Sequence, residues 1–192
     1  MKIGAVVLAA GASSRLGQPK QLLRFRGQSL VRRAVLAARG AGCSPVAVLL
    51  GADGARVKEE LADLEALFVS NHDWRRGIGS SIRVGVEALK NCEAIAILAC
   101  DQPYVDQNVI RSLIRAHQET RKPIVACAYS GTCGIPALFS RNYFANLLSL
   151  GDEEGAKSII TARPNEVAAV DFAEGAIDID RAADYERLLA SG

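Results

Sequence analysis

The residues best suited to chemistry open the chain. Leu8-Ala9-Ala10-Gly11-Ala12-Ser13-Ser14-Arg15-Leu16-Gly17-Gln18-Pro19-Lys20 is a run of small residues closed by two cations. Small side chains let a backbone approach a phosphate chain closely, and successive N–H groups can form an anion-holding concavity. Arg15 offers a flat fork and Lys20 a point charge to neutralise phosphate oxygens. Two familiar nucleotide loops do not match. A P-loop has four residues between its glycines and a lysine directly after the second. Here five residues separate Gly11 from Gly17, and Lys20 comes two positions late. The G-x-G-x-x-G dinucleotide fingerprint is absent from this loop, and Gly77-Ile78-Gly79 is only a fragment of it.

Carboxylates supply the second kind of chemistry. Asp101 stands at the mouth of the apolar run Ile95–Cys100 and begins Asp101-Gln102-Pro103. A carboxylate there is placed to hold a hard cation beside phosphates, since Mg²⁺ uses one or two carboxylates together with phosphate oxygens and water. The same aspartate fits a turn that caps the helix read next. Asp178-Ile179-Asp180 precedes the last helical stretch; extended backbone would put both carboxylates on one side and Ile179 on the other. Asp180 fits a helix N-cap equally well. Gly79, Ser80 and Ser81 open another helix, where free N–H and hydroxyl groups suit a base or ribose; ordinary capping by Ser80 is the alternative.

The elements that must position these residues alternate. Ile3–Ala9, Val46–Leu50, Ala66–Val69, Ala94–Cys100 and Pro123–Ala128 read as strands, with short ones near Val167–Val170 and Ile177–Ile179. Helical spacing marks Leu30–Ala41, Ala55–Leu64, Ser80–Leu89, Val105–His117, Arg141–Leu150, Gly155–Ala162 and Arg181–Ala190. Strand and helix in alternation predict one α/β domain over 1–192: a three-layer Rossmann-like fold with a mostly parallel sheet and helices on both faces. Ligands in such sheets sit at the carboxyl ends of the strands. The rule selects the loop after Ala9, the loop after Cys100 and the turn near Ile179.

Composition narrows the partners. Hydrophobic residues make up 49% and charged residues 23% of 192, which suits a packed globular chain. The net charge is +2, yet the first forty residues carry eight Lys or Arg and no acid. A basic end on a nearly neutral chain suits a small polyanion better than nucleic acid, and a 5% aromatic share offers no stacking platform. Cys43, Cys92, Cys100, Cys127 and Cys133 form no C-x-x-C pair, so reduced core thiols and a cytoplasmic location are expected. His72 and His117 stand far apart in no zinc-ligand spacing. The first apolar run is too short to span a membrane and leads into the glycine loop.

L-A-A-G-x-S-x-R-x-G-x-x-K resembles the signature of nucleotidyltransferases that include molybdenum-cofactor cytidylyltransferases and the sugar-phosphate and methylerythritol-phosphate enzymes. Asn71-His72-Asp73-Trp74-Arg75-Arg76-Gly77-Ile78-Gly79-Ser80-Ser81 is similar to the N-x-x-W-x-x-G-x-x-S-S of the molybdenum-cofactor branch, and Asp101-Gln102-Pro103 to the family's D-x-P. Gly131–Phe139 and Gly151–Lys157 resemble G-x-P-x-x-F and G-D-x-G-A-[RK], the second with one extra residue. Asp178-Ile179-Asp180 resembles the start of D-I-D-T-P-E-D, with Thr, Pro and Glu replaced. The likeness implies a Mg²⁺-dependent enzyme that moves a nucleotide from CTP, or another nucleoside triphosphate, to the phosphate of molybdopterin and releases pyrophosphate. It implies catalysis by Arg15, Lys20 and Asp101. Nucleotide binding falls to Leu8–Ser13, Arg15, Lys20 and Gly79–Ser81, and acceptor binding to Gly134, Pro136, Asp152 and Lys157. Asp101, Asp178 and Asp180 become metal ligands. Ala10, where guanylyl-transferring relatives carry Gly, puts a methyl where a base would lie and favours a pyrimidine. Transient contact with a molybdoenzyme or its maturation factor is a further implied partner. The competing readings are transfer to a sugar or polyol phosphate and a nucleotide-binding module without turnover. A redox enzyme using NAD(P) ranks last, for want of the fingerprint.

Overall fold

The computed structural model describes residues 1–190. Its strands are β1 (Ile3–Leu8), β2 (Arg24–Phe25), β3 (Gln28–Ser29), β4 (Val46–Leu50), β5 (Leu67–Ser70), β6 (Ala94–Ala99), β7 (Ile124–Tyr129), β8 (Thr132–Ser140) and β9 (Val167–Asp171). Its helices are α1 (Leu30–Gly40), α2 (Gly54–Glu60), α3 (Ile78–Ala88), α4 (Gln107–Thr120), α5 (Phe144–Leu148), α6 (Ala156–Ala162) and α7 (Ala182–Ala190).

Seven strands form one sheet in the order β5-β4-β1-β6-β8-β7-β9. All neighbours are parallel except β8, which runs antiparallel to both β6 and β7. This is the mostly parallel Rossmann-like sheet expected. Continuous apolar runs are what a strand covered on both faces requires. All of Val46–Leu50 is buried, and so are Ala94–Leu98. One face packs Val31, Val35, Val57, Leu61, Ile110 and Leu113 of α1, α2 and α4 with the connection after α2. The other packs Ile82, Val86, Phe144, Leu147, Ile159 and Ile160 of α3, α5 and α6.

The chain steps outward from β1 to β4 to β5, then returns to lay β6 on the other side of β1. The sheet order therefore reverses between β1 and β6, and the crevice at their carboxyl ends is where open α/β sheets take ligands. A satellite cluster of Leu16, Leu23, Phe25, Leu30, Ile179 and Leu188 clamps the glycine loop, the β2–β3 hairpin and the final segment together. It fixes the relative positions of residues about 160 apart in the chain.

The structure departs from the sequence reading at three places. Ile177–Ile179 is not a strand; its Ile177 N–H donates to Glu174 O and its Ile179 N–H to Asp101 O. Thr132–Ser140, to which the sequence reading assigns no element, is the nine-residue strand β8. Pro136 cannot donate to a ladder and is carried at a register shift opposite Ala126 and Cys127, the kind of bulge where proline is tolerated. Asp101 caps no helix. The cap of α4 is Asp106, whose carboxylate accepts from the N–H groups of Asn108 and Val109.

Candidate active site

Lys20 is the centre of the site. Its Nζ lies 2.5 Å from Asp101 Oδ2 and 3.0 Å from Asp180 Oδ1, joining the loop after β6 to the segment before α7. Lys20 and Asp101 are each 19% exposed, so little solvent screens the pair. Burial works against the ammonium charge. The charge of Asp101 and the hydrogen bonds to Asp101 and Asp180 outweigh it, and the pKa is raised. Arg15, largely exposed, stands 3.8 Å from Asp180 Oδ2. Asp178 is pushed above the usual carboxylate range, first by burial and then by the like charges of Asp101 and Asp180. Burial, with the Asp101 charge, raises the Cys100 thiol to about 12, so it stays a neutral core group beside the site.

Among the described residues no group of three or more His, Cys, Asp or Glu is gathered closely enough to hold a metal by itself. The donor set nevertheless suits one. Two carboxylate oxygens already converge on a cation, the Lys20 ammonium, with Asp178 within electrostatic reach. A hard divalent ion that takes two carboxylates and completes its shell with phosphate oxygens and water fits such a set.

The Asp101 loop is tied down on several sides. Gln102 is buried, and its Nε2 donates to Ile135 O at 3.0 Å and Gly175 O at 2.9 Å. Arg33 of α1 donates through Nε and a terminal nitrogen to Pro103 O, at 3.2 and 2.9 Å. Asp101 O takes the Ile179 N–H. The loop that carries the carboxylate is thereby anchored to the Arg33 side chain of α1 and to backbone groups of β8 and the C-terminal segment. Arg33 and the role of Gln102 are invisible in the sequence, because each acts on a distant carbonyl.

The glycine loop leaves β1 with Ala9 and Ala10 buried and Gly11 and Ala12 exposed. Ala10 is only 4% exposed, so its methyl packs inward and does not form the surface offered to a base. This removes the size argument for a pyrimidine. Leu8 is half-buried at the strand end and Ser13 half-buried with φ 53°.

Gly79, Ser80 and Ser81 are not the free donors expected. All three are buried. Asn71 Nδ2 donates to Ser80 Oγ at 2.9 Å and Ser81 Oγ at 3.0 Å, while Ser80 Oγ donates to Gly77 O at 2.7 Å. The Gly79 N–H donates to Asp152 O at 2.8 Å. Asp152 is itself engaged by Arg83 at 2.5 Å and Arg76 at 2.8 Å, so it clamps the 151–155 loop onto the start of α3. A Cβ on Gly79 would lie 1.9 Å from Gly151 O, a backbone atom that cannot step aside. Gly79→Ala is therefore expected to cost about 3 kcal/mol, which lowers the melting temperature by roughly 6–12 °C. Calorimetry checks this, and an unchanged transition would mean the 151–155 loop docks elsewhere.

The acceptor candidates are dispersed. Gly134 and Pro136 lie buried in β8, and a side chain at Gly134 would strike Tyr129 Oη at 2.4 Å. Lys157 is exposed on α6. Asp152 thus belongs with the Gly79 segment, while Lys20, Asp101, Asp178, Asp180 and Arg15 form the charged centre.

The sequence profile of the MobA-like NTP transferase domain matches residues 5–167. Nicotine blue oxidoreductase of Paenarthrobacter nicotinovorans is 32% identical over 200 aligned positions, covering 97% of this chain and 96% of that protein. A probable molybdenum cofactor guanylyltransferase of Opitutus terrae is 30% identical over 132 positions, 64% of this chain and 59% of that one. Among solved structures, Rv0371c of Mycobacterium tuberculosis H37Rv superposes with a TM-score of 0.83 at 32% identity, over 99% of this chain and 98% of that one. Its complex with manganese superposes with a TM-score of 0.79 at 29% identity, over the whole of both chains. No helix among the described residues is long and apolar enough to cross a membrane. The profile match covers most of the chain, and the charged centre lies where that fold takes its ligands: the chain belongs to the MobA-like NTP transferase family.

Proposed function

We propose that the chain transfers a nucleotide, CMP from CTP in the first instance, to the phosphate of a molybdopterin-type cofactor and releases pyrophosphate. The observation that carries this reading is the Lys20 ammonium bridging Asp101 and Asp180 beside the glycine loop. An acceptor phosphate oxygen attacks the α-phosphorus, a new P–O bond forms, and the bond to the β-phosphate breaks with its electron pair on pyrophosphate. A phosphate monoester has a second pKa of about 6, so it reaches the site already ionised and needs no general base. That accords with a centre built from carboxylates and cations.

Lys20 and Arg15 bind and orient the triphosphate, and Lys20 exchanges its carboxylate partners for phosphate oxygens when the nucleotide arrives. Asp101 and Asp180, with Asp178 beside them, would hold the divalent cation; Mg²⁺ is the ion we assign, and the manganese complex of Rv0371c supports a divalent metal. When bound, that ion neutralises charge that builds on the transferring phosphates. Each preorganised charge contact of this kind contributes on the order of 3 kcal/mol to the rate. The choice of CTP rests on the Asn71–Ser81 segment and its likeness to the cytidylyl branch.

A second reading is favoured by the end-to-end likeness to nicotine blue oxidoreductase, namely a redox reaction on a small molecule. One experiment separates the two. Purified protein with Mg²⁺ receives CTP, UTP, GTP or ATP, with and without molybdenum-loaded molybdopterin, and pyrophosphate is measured. A parallel arm follows absorbance of a reduced nicotinamide cofactor with a quinonoid dye supplied as the hydride acceptor. Acceptor-dependent pyrophosphate with CTP above the other nucleotides is expected. Nicotinamide oxidation without pyrophosphate from any nucleotide would replace the transfer reading by the redox one.

A further inference from the structure

One buried amide sits beneath the whole glycine loop. Gln21 is 1% exposed, and its Nε2 donates to Ala9 O at 2.9 Å and to Gly11 O at 2.6 Å. Its Oε1 accepts from Ser13 Oγ at 3.4 Å, and the same Ser13 Oγ accepts from the Lys20 N–H at 3.0 Å. Ala10 O is taken separately by the Ala52 N–H at 3.1 Å.

The consequences for the backbone follow from peptide geometry. In a trans peptide the C=O and N–H point in opposite directions. With Ala9 O and Gly11 O drawn down onto Gln21, the N–H groups of Ala10 and Ala12 point away from the core. With Ala10 O drawn toward Ala52, the Gly11 N–H points away from β4. Among the described residues, none of these three N–H groups donates to a backbone carbonyl. An N–H left without an acceptor, on a residue as buried as Ala10, is costly unless a ligand or water takes it. Successive N–H groups turned outward make an anion-holding concavity.

We propose that Gln21 is the positioning residue of the donor site. Its amide sets the direction of the Ala10 and Ala12 N–H groups toward the polyphosphate of a nucleoside triphosphate. Through Ser13 it also fixes the turn that carries Lys20. The inference rests on the nucleotide-transfer reading for its ligand, and it adds the device that gives the loop its shape. Gln21 never touches the phosphates; it acts through the carbonyls of Ala9 and Gly11.

The test uses inorganic tripolyphosphate as the probe, with ¹⁵N amide spectra of the full chain. Wild type should show titrating shifts at Ala10, Gly11 and Ala12. Gln21→Leu, which keeps the volume and loses all three contacts, should raise the tripolyphosphate Kd at least tenfold and the donor KM by a similar factor. The acceptor KM should stay within threefold, a split between donor and acceptor that general loosening of the fold would not give. Gln21→Glu, isosteric but without a donor, should be weaker still. Gln21→Asn, one methylene shorter with the amide kept, should lie between wild type and Gln21→Leu, and it carries the test if Gln21→Leu does not fold. Folded variants with wild-type Kd and donor KM overturn the inference and leave the transfer reading intact. Wild-type shifts at Ala10–Ala12 without pyrophosphate from any nucleotide overturn the transfer reading and leave Gln21 its role.

Discussion

Asp101→Asn is expected to lower kcat for pyrophosphate release about 10³-fold, with the melting temperature within a few degrees of wild type. The substitution keeps the shape and removes the charge. What is lost is one carboxylate at the carboxyl end of β6, held there by anchors on Gln102, Pro103 and its own carbonyl. Removing a single preorganised electrostatic group from an active site costs 10²–10³ in turnover as a rule, and a metal ligand belongs at the upper end. The fold should tolerate the change. Lys20 keeps Asp180 as a partner, and the asparagine oxygen can still accept from the ammonium. A capping aspartate would behave in the opposite way, losing stability and sparing activity. Asp106 fills that position. Steady-state kinetics at saturating nucleotide, with calorimetry on the same preparation, check both halves.

Lys20→Met carries the second large effect, and it has two signatures. In kinetics, kcat/KM for the nucleotide is expected to fall about 10²–10³-fold, because a point charge on the phosphates is gone. Lys20→Arg should restore only a small part, since a planar fork does not reproduce an ammonium packed between two carboxylates. In stability, the metal-free variant leaves Asp101 and Asp180 facing each other, with Asp178 near, and no cation between them. Breaking a fully buried pair costs 3–5 kcal/mol; with these partners part-exposed, about 1–3 kcal/mol is expected. Mg²⁺ or Mn²⁺ should then raise the melting temperature of Lys20→Met more than that of wild type, because the ion takes the place of the missing ammonium. Equal metal-induced shifts in the two proteins would mean that the carboxylates do not form the cation site.

The sequence made the charged centre legible because its parts are local. A thirteen-residue loop and a carboxylate at a strand end each announce themselves within a few positions, and the strand–helix alternation says they share one edge of the sheet. Lys20 and Asp101 lie 2.5 Å apart at that edge. The segments misread depend on contacts the chain cannot show locally. Gly79 looks like an open helix start, but the 151–155 loop, some seventy residues on, covers it. β8 hides because Pro136 breaks the pattern of a strand and only pairing with β6 and β7 reveals the bulge that accommodates it. The two-residue strands β2 and β3 are too short for any periodicity. The Ala10 methyl looked like a surface feature and packs inside. Gln21 left one faint signal, an amide beside Leu22 and Leu23 where an apolar residue would fit the run.

The most direct test of the central claim is ³¹P NMR of wild-type protein with CTP, Mg²⁺ and molybdenum-loaded molybdopterin. Nucleotidyl transfer predicts a pyrophosphate resonance growing in step with a new diphosphate-ester signal, as the α-phosphate of CTP and the acceptor monoester disappear together. An unchanged spectrum with CTP, and with UTP, GTP and ATP in its place, would contradict nucleotidyl transfer to this acceptor.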